Sequence, residues 1–289
     1  MSNPFLNIDR KFSLNPLPPA NQPIFVLSTI WRSGSTLFQR TLCTDHDILI
    51  WGEPYADCNL FTSLSRSALA LTQENWPHAG HFAAGLDHVF DAPEEHFIAN
   101  LYPAIGYFRR GQRQLLDTTF AVPAKQRGRE RFGIKFVRLS LEEANYLHWI
   151  YPDAKFIFLV RNPWDCWRSY KGYSWNYRWP KQTISKVSQF AMLWNKQTTE
   201  LLKFSGHNKL WLRYEDFLQP DFDWDGLREF CELPNITRKA LDHKISGVNT
   251  KPQPIDDSDI LAINKICSPL ALQLGYTGLK QTDLRFRWP

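Results

Sequence analysis

Ile24-Phe25-Val26-Leu27-Ser28-Thr29-Ile30-Trp31-Arg32-Ser33-Gly34-Ser35-Thr36-Leu37-Phe38-Gln39-Arg40 reads as strand, tight loop and helix. The first four residues are a short apolar run of β-formers, long enough for a buried strand and too short for a helix. From Leu37 to Leu42 the apolar residues recur at helical spacing. A loop at such a junction aims backbone N–H groups, hydroxyls and the positive end of a new helix at one spot, and that spot binds an anion. The triphosphate-loop pattern G-x-x-x-x-G-K-[ST] would need glycine at position 29 and lysine at position 35, where the chain has Thr29 and Ser35. Arg32 supplies a cation three residues earlier. On this stretch alone, an anion cradle and a plain turn with a capping hydroxyl stand level.

Outward from the loop, Ile48-Leu49-Ile50-Trp51 reads as a second short strand ending in Gly52-Glu53-Pro54. Phe132 to Val137 reads as a strand carrying one lysine, Lys135. Leu141 to Tyr151 follows as a helix, and Lys155 to Val160 as the most continuous apolar strand, hence a central one. Leu210 to Leu212 makes a further strand. Strand, helix, strand in this order implies a parallel crossover, so the fold expected is α/β, a P-loop-like parallel sheet flanked by helices. Thr183 to Phe204 predicts a long amphipathic helix with Ile184, Val187, Ala191, Trp194, Thr198 and Leu201 on one face. Asp256 to Leu274 predicts a final helix interrupted by Pro269.

Residues 59–131 read as a largely helical insertion, with helices near Leu60 to Leu71 and Glu94 to Phe108 and one strand at Leu115 to Asp117. Residues 1–22, with Pro16, Pro18 and Pro19, read as an extended arm on the surface. The whole chain, 1–289, is expected to be a single domain.

Twelve tryptophans and 15% aromatic residues point to an aromatic core or a flat-sided pocket. The net charge of +5 is not gathered into a basic run, which argues against a nucleic-acid binder and is satisfied by a small anionic ligand. Five scattered cysteines without C-x-x-C spacing argue against a zinc site or a disulfide framework. A cytoplasmic setting is the expectation, with no apolar leader and no membrane-length run.

Directly after the central strand stands Arg161-Asn162-Pro163-Trp164-Asp165-Cys166-Trp167-Arg168-Ser169. Pro163 suits the first turn of a helix, which places Arg161 at a strand end and Ser169 two turns on, both within reach of one ligand. Taken singly, each residue could be an ordinary salt-bridge or filler residue.

Together the two segments resemble the sulfotransferases that use 3′-phosphoadenosine 5′-phosphosulfate (PAPS). That family carries a 5′-phosphosulfate loop of the form [KR]-S-G-[ST]-T, matched by Arg32, Ser33, Gly34, Ser35 and Thr36. It also carries a 3′-phosphate motif, R-x-P-x-D-x-x-x-S, matched at Arg161, Pro163, Asp165 and Ser169. The likeness continues through Tyr214-Glu215-Asp216 and Leu272 to Tyr276. The chain also looks loosely similar to bacterial small-molecule members that decorate guanidinium toxins of the paralytic-shellfish type, a likeness that no motif carries.

The resemblance implies sulfuryl transfer from PAPS, leaving 3′-phosphoadenosine 5′-phosphate (PAP), to a hydroxyl or nitrogen of a small-molecule acceptor, a cationic natural product among the options. It implies no metal, no nucleic acid, no membrane, and a monomer or homodimer. Arg32, Ser33, Gly34, Ser35, Thr36, Leu37, Arg161, Ser169 and Tyr214 are the implied donor contacts, with Tyr214 against the adenine. Lys135 aligns with a lysine lying near the bridging oxygen. Cytosolic members carry a histidine base two residues after that lysine, where this chain has Val137. Branches resembling the protein-tyrosine enzymes use a glutamate in a G-E segment instead, which makes Glu53 the implied base. The catalytic set is thus Glu53, Lys135 and Arg32, with His46, His148 and His243 as rival bases. Residues 246–251 fall where a third donor loop is expected, but without the family's R-K-G element. The rings from Trp164 to Trp179 could line the acceptor pocket as well as the core. Three rival readings are a kinase-like phosphotransferase, a nucleotide-binding module without chemistry, and nucleic-acid binding, which predicts a steep salt dependence that a single small cofactor would not show.

Overall fold

Five short apolar runs become strands, and the three inner ones are buried on both faces, which only a sheet covered by helices on both sides allows. A computed structural model describes residues 3–18, 22–53, 59–72, 91–96, 102–172, 183–243 and 253–276. Its strands are β1 (Ile24–Ser28), β2 (Ile48–Trp51), β3 (Arg131–Phe136), β4 (Lys155–Val160) and β5 (Lys209–Arg213). They pair in the order β2-β3-β1-β4-β5, every pair parallel. β1 lies in the middle with Val26 opposite Lys135 on one side and Ile157 on the other.

Side chains alternate between two cores, as the period-2 geometry of a strand requires. Phe25, Leu27, Phe132, Ile134, Phe136, Phe156 and Phe158 face one cluster. Ile24, Val26, Ile157 and Leu159 face the other.

The helices are α1 (Leu6–Lys11), α2 (Ser35–Leu42), α3 (Leu60–Leu69), α4 (Ile105–Leu116), α5 (Val122–Lys125), α6 (Leu141–Ile150), α7 (Pro163–Lys171), α8 (Val187–Leu201), α9 (Tyr214–Phe217), α10 (Trp224–Cys231) and α11 (Asp257–Gln273). α6 starts at a capping box in which Ser140 and Glu143 satisfy each other's backbone amides. α3, α4 and α6 cover the first core, α2 and α10 the second. A third cluster, built on Trp164, Trp167, Tyr170, Phe190 and Trp194, joins α7, α8 and α11. Most of the described tryptophans are therefore core.

Five expectations are corrected. The amino-terminal residues are not an extended arm throughout, because 6–11 form α1. Phe5 and Ile8 are fully buried, and Arg109 donates to Asp9 Oδ1 at 3.1 Å while stacking on Trp149. Leu115 to Asp117 is not a strand but the junction of α4 with a π turn, Asp117–Ala121. Within the helix expected across Glu94 to Phe108, the described residues 102–104 are not helical and α4 starts at Ile105, two residues after Pro103, whose ring disfavours helix at the residue before it. Pro269 does not interrupt α11, which runs through it while burying Ile260, Ile263, Cys267, Leu270 and Ala271. The helix predicted over 183–204 runs only from Val187 to Leu201; Ala191, Trp194, Thr198 and Leu201 are buried as its spacing predicted, whereas Val187 is half-buried and Ile184 is buried ahead of the helix.

Candidate active site

Parallel pairing puts all five carboxyl ends on one edge of the sheet, and each end delivers one residue singled out from sequence. β2 leads to Glu53, β3 carries Lys135, β1 feeds the loop at Arg32, β4 leads to Arg161, and β5 leads to Tyr214. From β1 the chain crosses toward β2, whereas from β4 it crosses toward β5. The crevice between β1 and β4 is thus the point where the strand order reverses, which is where open α/β sheets bind ligands.

The loop after β1 is locally strained and held from outside. Arg32 has φ +67°, a left-handed conformation that disfavours a side chain by roughly 1–2 kcal/mol. Arg161 and Ser169 help to hold it there. Arg161 donates to the Arg32 carbonyl at 3.0 Å, and Arg32 Nε donates to Ser169 Oγ at 2.9 Å. Gly34, at φ +84°, lies so close under the Tyr214 ring that an added Cβ would fall 1.9 Å from Tyr214 Cε2. The Tyr214 ring in turn stacks against the Arg161 guanidinium at 4.7 Å. Burial raises the Tyr214 phenol above its usual range, with Arg161 opposing, so the hydroxyl stays protonated.

α2 starts at Gly34 with no side chain capping it, so the amides of its first turn and the helix dipole face the crevice uncompensated by a cap. The Ser33 hydroxyl beside them is fully buried and has no hydrogen-bond partner among the described residues. Buried hydroxyls and uncapped amides are groups that an anion satisfies.

On the other side of β1, Lys135 Nζ and Glu53 Oε1 are 2.7 Å apart. Lys135 is 7% exposed in its side chain and Glu53 30%, so the lysine is the buried partner and its charge is balanced by the carboxylate. Val137, at the position of the cytosolic members' histidine, lines a narrow crevice with Thr29, Ile30, Trp31, Leu193 and Gln197.

Sequence reasoning gave no role to two residues that bind this edge together. Glu215 Oε1 accepts from the Asn162 backbone at 3.0 Å and from Asn162 Nδ2 at 2.6 Å. Cys166, fully buried, points its Sγ at the Arg32 carbonyl at 3.7 Å. Burial pushes its thiol far up, so it remains a donor. The Y-E-D segment was the signal that could have found Glu215.

The rival histidines sit elsewhere. His46 precedes β2 and meets Arg129 at 3.1 Å; His148, half-buried, packs against Phe156 and Phe204 near the start of β4; the His243 carbonyl accepts from Arg40 near the end of α2. All three lie toward the amino-terminal edge of the sheet, away from Glu53 and Lys135. Pro54 and Tyr55 beside Glu53, the later rings Tyr173, Trp175, Tyr177 and Trp179, and residues 246–251 lie outside the described residues.

Among the described residues no group of three or more histidine, cysteine, aspartate or glutamate side chains is arranged to hold a metal ion, and no helix is long and apolar enough to cross a membrane. No curated protein matches the chain in sequence. In structure it is similar to the sulfotransferase domain from the curacin biosynthetic pathway, at 16% identity and TM-score 0.48, over 90% of this chain and 99% of that one. It is also similar to the sulfotransferase domain of the Synechococcus PCC 7002 olefin synthase, at 15% identity and TM-score 0.45, over 96% and 92% of the two chains. A sulfotransferase from Alicyclobacillus acidocaldarius aligns at 16% identity and TM-score 0.43, over 92% and 100%. The sequence profile of the sulfotransferase family matches residues 23–236, from the start of β1 to beyond α10, and the chain belongs to that family.

Proposed function

We propose that this chain transfers a sulfuryl group from PAPS to a hydroxyl or nitrogen of a small-molecule acceptor. The observation that carries the reading is the bond from Arg161 to the Arg32 carbonyl, which joins the residues matching the two phosphate motifs into one crevice. The groups present fit such a donor. Arg161 and Ser169 would hold the 3′-phosphate, a doubly charged group best gripped by arginine with hydroxyl donors. Ser33, Ser35, Thr36 and the amides through Leu37 would hold the 5′ side, and Gly34 keeps the backbone low under Tyr214. When bound, the donor supplies an activated sulfuryl group on a phosphate leaving group.

Arg32 and the loop amides meet the charge that develops at the 5′ side, a contribution of roughly 3 kcal/mol per donor. Lys135 is the cation available on the far side of β1. In its present pairing it is balanced by Glu53, and its transfer to a bound anion releases Glu53. The carboxylate then takes the acceptor's proton, general-base help worth roughly 100-fold or more. The acceptor class extends to cationic natural products through the ring-rich segment after α7. The protein acts as one domain, cytoplasmic, monomeric or homodimeric, without a metal.

Calorimetric titration with PAP and, separately, ATP plus Mg²⁺ tests the donor. Tighter PAP binding is expected, and tighter ATP binding overturns the reading in favour of phosphoryl transfer. A mass-spectrometric screen of acceptors for the gain of one SO₃ then tests the reaction itself. Glu53→Gln is expected to lower turnover by about 100-fold while leaving PAP affinity unchanged. Unaltered turnover would remove Glu53 as the base.

A further inference from the structure

We infer that Glu215 is a positioning residue: its carboxylate holds the backbone that carries Arg161 in register with the loop at Arg32, and thereby sets the selectivity of the donor crevice for a 3′-phosphate. The inference rests on the donor proposed above.

Glu215 follows Tyr214 at the end of β5, beside the end of β4, because Val160 and Arg213 are paired. One of its oxygens, Oε1, accepts from both the backbone N–H and the Nδ2 of Asn162. Asn162 is the residue after Arg161 and also the cap of α7, its Oδ1 accepting from Asp165 N at 2.8 Å. A single carboxylate oxygen thus fixes, through two charge-assisted bonds, the residue at which β4 becomes α7. From that fixed point Arg161 reaches the Arg32 carbonyl and lies over Tyr214. Arg161 Nε is buried and without a hydrogen-bond partner among the described residues.

A carboxylate beside an anion site opposes the ligand electrostatically. Glu215 therefore does not serve there as an attracting charge, and what it supplies is geometry. Any acceptor at Oε1 should suffice, and a glutamine has one. Truncation to alanine instead leaves the Asn162 N–H without its partner next to Arg161, at a point where a shift of about 1 Å is enough to spoil a phosphate contact.

The test is calorimetric titration of the whole chain with PAP and with AMP, which lacks the 3′-phosphate, for the parent, Glu215→Ala, Glu215→Gln and Asn162→Ser. Serine keeps the α7 cap but has no Nδ2. The parent is expected to prefer PAP by about 100-fold, the effect of two charge-assisted bonds. Glu215→Ala should bring that ratio below about 10 while AMP affinity stays within about threefold of the parent. Glu215→Gln, which keeps the acceptor and removes the opposing charge, should hold the ratio at or above the parental one, and Asn162→Ser should fall between the alanine variant and the parent. If the alanine variant does not fold, the ratio in Asn162→Ser decides. A purely structural role predicts equal losses for AMP and PAP, or a change in melting temperature alone, and either result overturns the inference. So does a glutamine variant that behaves like alanine. A parent without preference for PAP removes the donor reading and this inference together, whereas a preference left intact in Glu215→Ala and Asn162→Ser removes this inference alone.

Discussion

Gly34→Ala places a methyl group where a ring already stands. The new Cβ would lie 1.9 Å from Tyr214 Cε2 and 2.2 Å from Cδ2, whereas ordinary contact begins at 3.4 Å. The ring must therefore withdraw by about 3.4 − 1.9 = 1.5 Å, or the loop must drop by as much. Either motion separates Tyr214 from Arg161, now stacked at 4.7 Å, a contact contributing about 1 kcal/mol. The left-handed backbone at φ +84° adds a further penalty of about 1 kcal/mol for any side chain. The sum, about 2 kcal/mol, corresponds to roughly 30-fold in affinity if all of it falls on the bound state. Titration calorimetry with PAP reads the affinity, and a thermal scan reads the share that falls on stability. Tyr214→Ala supplies the control, because in that background the methyl meets no ring and should add only the backbone penalty. PAP affinity within threefold of the parent, or an equal effect of Gly34→Ala with and without the Tyr214 ring, would refute the reasoning.

Other perturbations reach the scaffold. His148 is held neutral: burial, and next the neighbouring His207, lower its pKa from 6.5 to about 4. Between those values the unfolded chain binds a proton that the folded chain refuses, so stability falls as pH drops through that window, by roughly 2 kcal/mol at pH 5. Urea unfolding of His148→Leu should show that acid loss gone, and an unchanged difference between pH 7.5 and pH 5 speaks against the assignment. Arg109→Ala removes the cation beside Asp9, which keeps the Trp149 Nε1 bond, and takes the Arg109 donor from the Trp149 carbonyl, so a loss of about 3 kcal/mol is expected by chemical denaturation. A loss below about 0.5 kcal/mol would show that α1 is not anchored by this pair. Lys135→Ala should cut turnover by about 100-fold, and a second cut from Glu53→Gln in that background should be much smaller, since the two side chains act as a pair.

The sheet was legible because each strand is a short apolar run ending at a residue whose charge or turn chemistry has a purpose there. Lys135 stood out as a lone cation in such a run, and Arg161 as the residue after another. α1 was not legible, because three prolines at positions 16, 18 and 19 suggested extension while the burying residues, Phe5 and Ile8, are only two. Leu115-Leu116 is too short a run to tell strand from helix. Its true period shows only with Ile105, Arg109 and Gln112, of which two are polar yet buried. Pro269 was read as a break, whereas packing of α11 on α8 outweighs the loss of one backbone bond. Within the site, the motifs named the residues but not their contacts. That Tyr214 roofs Gly34 and that Glu215 grips Asn162 depend on strand order, and the β4–β5 adjacency is a long-range fact that no local pattern encodes.

The central position of β1 has a bearing on synthesis. Both its neighbours come late: β3 starts at residue 131 and β4 ends at residue 160, so 160 − 28 = 132 residues must follow β1 before its second partner is complete. At ribosomal rates of roughly 5–20 residues per second that is a wait of about 7–26 s, during which the four apolar residues Ile24 to Leu27 are unshielded on both faces. The nascent chain is therefore most prone to aggregate just when the anion loop has been made but has nothing to stand against, and ribosome-bound holdase chaperones should engage it between β1 and β4.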